Sequence, residues 1–80
     1  MHQSSKETFY AEKEVSDIAT SFLSEGYILR FHSSSLSLCF YSLVHSSNGN
    51  HINVIGYPLK NNVTVKKNGK VIINRRIVDL

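Results

Sequence analysis

LSLCFYSLVHSSNGNHINVIGY, residues 36–57, decides the fold. Two runs rich in Leu, Ile, Val, Phe and Tyr flank Ser46-Ser47-Asn48-Gly49-Asn50. Asn-Gly is the strongest short hairpin signal, because both residues tolerate the positive φ that a tight turn needs. Read as a two-residue turn, Asn48-Gly49 pairs Ser47 with Asn50, Leu43 with Val54 and His45 with Ile52. One face then carries Cys39, Tyr41, Leu43, Ile52 and Val54. The other carries Leu38, Phe40, Val44, Ile55 and Tyr57, with Ser42 and Asn53 among them. Both faces are apolar, and one helix can cover only one of them. The second requires strong sheet curvature, a folded-over terminal hairpin or another chain. A self-closed domain and a homodimer both satisfy this. Leu38, Phe40, Val44, Ile55 and Tyr57 are the candidate self-association face.

Upstream, residues 5–25 predict one amphipathic helix. Ala11, Val15, Ile18, Ala19, Phe22 and Leu23 follow the i, i+3, i+4, i+7 spacing of a single face. Ser4 and Glu7 match a capping box, residues 1–5 read as a flexible lead, and Gly26 suits the stop. Residues 27–31 alternate, with Tyr27, Leu29 and Phe31 on one side. Downstream, Pro58 and Asn61-Asn62 break the chain. Residues 63–67 and 70–78 then flank Asn68-Gly69, a second hairpin signal that pairs Lys67 with Lys70, Val65 with Ile72 and Val63 with Asn74. The predicted architecture is α+β: an N-terminal amphipathic helix packed on an antiparallel sheet of four to five strands, a meander of two hairpins over 27–78.

The chain has 80 residues, 41% hydrophobic and 19% charged, with a single Cys. That is one folded domain, with neither a disulfide framework nor a cysteine zinc cluster. No apolar run approaches the ~18 residues that span a membrane. The start MHQSSKE has no apolar core of the kind a signal peptide needs. Together with the lone thiol, this points to a cytoplasmic protein.

Charge is uneven. The net is −3 over residues 1–25, +1 over 26–59 and +5 over 60–80. Lys60, Lys66, Lys67, Lys70, Arg75 and Arg76 are the candidate contacts for an acidic protein surface or for phosphates. The competing reading is that these lysines guard an exposed strand edge against aggregation.

The sequence offers little catalytic chemistry. Cys39 and His45 share a face, but six residues of strand put them ~20 Å apart, too far for a nucleophile and its base. His45 and His51 flank one turn without a nameable third metal ligand. Neither HExxH, a phosphate-binding loop nor GxSxG is present. A ribonuclease-type toxin built from His and Lys/Arg is the nearest catalytic alternative. The sequence predicts no enzyme, no metal and no cofactor.

The leading expectation is a small non-enzymatic interaction protein, an inhibitor or regulator that binds a larger protein or complex, with homodimer formation the natural supplement to its small core. Its size and its Ser-, Asn- and Tyr-rich, Ala-poor composition are common among phage and mobile-element proteins. The alternative is a nucleic-acid-binding protein using the basic C-terminal hairpin. Against it, Phe9, Tyr10, Phe31, Phe40, Tyr41 and Tyr57 are not interleaved with that basic segment in the chain, where base stacking would want them.

Overall fold

The computed structural model describes residues 3–78, with side chains from Lys6 onward. A helix, α1 (Gln3–Leu23), is followed by five strands: β1 (Tyr27–Ser34), β2 (Cys39–His45), β3 (His51–Tyr57), β4 (Asn62–Lys67) and β5 (Lys70–Arg76). A 3-10 turn, Pro58–Lys60, separates β3 from β4. The strands form one antiparallel sheet in the order β1-β2-β3-β4-β5, so the fold is α+β with a plain meander.

The helix forms where the apolar stripe predicts, displaced by two residues at each end. It already contains Ser4, which is therefore not its cap; the side chain of that capping box and the lead at residues 1–2 lie outside the described residues. Ala11, Val15 and Ala19 are buried, while Ile18 and Phe22 pack at the margin of the core. Leu23, expected on the same stripe, is exposed. The helix lies on Cys39, Leu43, Ile52, Val54, Val63 and Val65, all fully buried. It lies close because Gly56 has no side chain: a Cβ there would sit 2.8 Å from Val15 Cγ1 and 3.7 Å from Ala11 Cβ.

The central hairpin closes through four residues, not two. His45 N–H donates to Asn50 O (2.8 Å), Gly49 N–H reaches His45 O (3.2 Å) and Asn50 N–H donates to Asn48 Oδ1 (2.9 Å). Leu43 therefore faces Ile52 and Tyr41 faces Val54, correcting the predicted pairing of Leu43 with Val54. Each strand has slipped by one residue relative to the turn. The combined slip is even, so every side chain keeps its predicted face; an odd slip would have inverted one strand.

The terminal hairpin turns as predicted, with Asn68 at φ 51° and Gly69 at φ 86° joining Lys67 to Lys70. The pairing then departs from expectation at a bulge: Lys66 faces Val71, but Val65 faces Ile73 and Val63 faces Arg75. Ile72 is the extra residue. A second bulge lies in β1, where Leu29 faces Leu43 but Phe31 faces Ser42, leaving Arg30 over. Phe31 accordingly points away from Tyr27 and Leu29, not with them.

Neither intramolecular cover for the second face is used. β4 and β5 extend the sheet instead of folding across it, and β1 and β5 remain separate edges. One face is covered by α1; the other has no described element across it.

Candidate binding face

Pairing register places the residues of the bare face in rows. Ile28, Val44 and His51 form the first; Phe31, Ser42, Asn53, Lys66 and Val71 the second; Ser33, Phe40, Ile55, Thr64 and Asn74 the third. Tyr57, Asn62 and Arg76 close the far end, with Leu38 just before β2. The face is thus divided. Over β1–β3 it is apolar and aromatic, with Ile28 53% and Phe31 56% exposed and the Phe31 and Phe40 rings 6.0 Å apart. Over β4 and β5 it is mostly amide, hydroxyl and cation.

The polar half is partly self-satisfied. Asn62 Nδ2 donates to Asn74 Oδ1 (2.7 Å), and Thr64 Oγ1 donates to Asn62 Oδ1 (3.1 Å). Among the described residues the face has no carboxylate, because residues 26–78 contain no Asp or Glu.

Of the five residues expected to form a self-association face, Phe40, Val44, Ile55 and Tyr57 share this bare side, and Leu38 lies just before β2. The six basic residues do not share one place. Lys66 and Arg76 stand on the bare side. Lys60 joins its margin, with Nζ 5.7 Å from the centre of the Tyr57 ring. Lys67 and Lys70 face each other at the hairpin tip, both exposed. Arg75 is carried by the Ile72 bulge to the helix side, where its guanidinium donates to Glu14 Oε2 (2.6 Å).

The β1 bulge acts in the same way at the other edge. It turns His32 and Ser34 toward α1, where His32 Nε2 donates to Glu12 Oε2 (3.0 Å) and Ser34 Oγ to Glu12 Oε1 (2.9 Å). Both edge strands thereby gain a polar tie to the helix. Sequence periodicity misses Phe31 as a member of the bare face for this reason: strict alternation places it with Tyr27 and Leu29.

Cys39 and His45, singled out in the sequence, are engaged in structural roles. Cys39 is buried, and burial pushes its thiol above the ordinary value of 9.0, away from the thiolate a nucleophile needs. His45 Nε2 donates to Glu25 O (3.1 Å), while its Nδ1 accepts from Ser47 N–H (3.2 Å). That pattern fixes one tautomer and ties the central hairpin to the helix end. Among the described residues, no three His, Cys, Asp or Glu side chains are grouped to hold a metal ion. None of the described helices is long and apolar enough to cross a membrane. No protein-family model, curated protein or solved structure matches this chain.

Proposed function

We propose that the protein is a non-enzymatic interaction protein that binds a larger protein or complex through the bare face of its sheet and modulates it by occupying that surface. The observation that carries this reading is the face itself: an apolar band on β1–β3 beside cations on β4 and β5, with no carboxylate among the described residues. Exposed apolar patches with a polar rim mark interaction sites, and the missing negative charge suits an acidic partner. The engagement of Cys39, His32 and His45 in packing and hydrogen bonds supports the non-enzymatic part.

The test is site-specific photo-cross-linking in cells that make the protein. A benzoylphenylalanine at Ser33, on the bare face, should cross-link to a larger protein. The same group at Ser21, on exposed helix surface, should not. Equal labelling from both positions would reject the reading.

A second reading is favoured by one observation. Phe31, Phe40 and Tyr57, distant in sequence from the basic hairpin, share a face with Lys66 and Arg76 once the sheet forms. That is the mixture of ring and cation on which single-stranded nucleic acid stacks. Affinity for single strands that falls with salt, with a slope near −0.7 per neutralised phosphate, would support it.

A further inference from the structure

The rest of the molecule narrows what the bare face can accept. Strand addition at either edge is disfavoured, because β1 and β5 each carry a bulge that interrupts the ladder an incoming strand would extend. The partner therefore comes to the face. The apolar band spans three strands, so its outer strands are ~10 Å apart at ~4.8 Å per spacing, and its strands of seven to eight residues are ~23–26 Å long. One α-helix with its side chains is ~10–12 Å across, and about 15 residues of it cover that length.

The opposite face shows how this sheet accepts a helix. α1 lays Ala11, Val15 and Ala19 on the sheet and offers carboxylates to its rim, with Glu14 on Arg75 and Glu12 on His32. The bare face repeats the kit: Phe31, Phe40, Val44 and Ile55 form the apolar bed, with Lys66 on its β4 side and Lys60 at its margin. A second copy fits less well. It would bring together two faces that each present Lys66 and, among the described residues, no carboxylate to meet it. Nucleic acid also fits less well, since much of the bed is aliphatic and presents no ring for a base to stack on.

Resting on the docking role proposed above, we infer that the bare face receives an amphipathic α-helix from the partner, with carboxylates along the flank that lies over β4 and β5. Bound, it makes the sheet the middle layer of a helix–sheet–helix sandwich.

The test uses the full chain and two fluorescent peptides of about 16 residues, one helical length of the band. They share one Leu-rich face and differ in flank, all Glu in one and all Lys in the other. Fluorescence anisotropy should show the Glu peptide binding about tenfold tighter than its Lys twin, the difference two or three rim ion pairs supply. Lys66→Glu should reverse that preference, and a Glu peptide broken by a central Pro should bind at least about tenfold more weakly, since it cannot hold the helix. Equal binding of the Glu and Lys peptides, or undiminished binding of the Pro-broken one, would overturn the inference. So would binding of single-stranded oligothymidylate in preference to both peptides, or a face-dependent dimer in sedimentation equilibrium. If neither peptide binds while the Ser33 cross-link persists, the docking role stands and the helical partner is wrong. If both fail, the docking role fails with it.

Discussion

The two faces of the sheet are built from similar residues and differ in what lies across them. The covered face holds Leu43, Ile52, Val54, Val63 and Val65 at zero exposure under α1. The bare face holds Phe40, Val44 and Ile55 half-exposed, with Ile28 and Phe31 open to solvent. Alternation along a strand treats both sides alike; only the helix tells them apart. The same residue types therefore stabilise the fold on one side and remain accessible to solvent on the other.

The largest expected effect lies on the covered face. Leu43→Ala should cost about 2–5 kcal/mol through the cavity it leaves, comparable to the ~3–5 kcal/mol that one core of this size supplies. Urea denaturation of Phe31→Ser should instead move stability by only about 0.5 kcal/mol, as for an ordinary surface change. If the two variants are equally destabilised, the distinction between the faces is lost. Gly56→Ala comes next. The added methyl meets Val15 at 2.8 Å and should cost about 1–3 kcal/mol by overpacking. A melting temperature that does not change would mean that the helix is not held against β3 as closely as described.

How much of this was legible in the chain depends on the kind of signal. The helix stripe at Ala11, Val15 and Ala19 and the turn at Asn68-Gly69 could be read directly, because each depends on local spacing or a local backbone preference. The central turn was misjudged because Asn48 and Ser47 use their side chains to build a longer loop than Asn-Gly alone implies. The bulges at Arg30 and Ile72 leave no local mark. They go with tertiary ties, Glu12 to His32 and Ser34 and Glu14 to Arg75, that cross about 20 to 60 residues. Phe31 was misplaced for that reason, and the shared face of Phe31, Phe40, Lys66 and Arg76 could not be seen in a linear reading.

Two smaller effects sharpen the comparison at the margins. Glu14→Gln removes the negative charge that faces Arg75 in a pair that is partly exposed, so the loss should be no more than ~1 kcal/mol. It should shrink further in high salt, whose ions screen exposed charges. A loss that ignores salt would point to packing as its source. Cys39 gives an alkaline signature of the covered face. Its folded-state thiol is raised by burial, so it holds its proton at a pH where the unfolded chain releases one. Stability should be unaffected below the ordinary thiol value and fall as pH rises past it toward the folded value. Cys39→Ala should remove that alkaline slope, whatever its effect on stability at neutral pH. An identical slope in the variant would place its source elsewhere.

The most direct test of the division between the faces combines both readouts in one molecule. The Ile28→Ser, Phe31→Ser double variant, carrying the photo-cross-linker at Ser33, is compared with the otherwise unaltered chain. The account predicts that unfolding free energies agree to within about 1 kcal/mol, the sum of two surface changes, while the cross-link to the larger partner is lost. A double variant that unfolds, or one that keeps the cross-link undiminished, would contradict it.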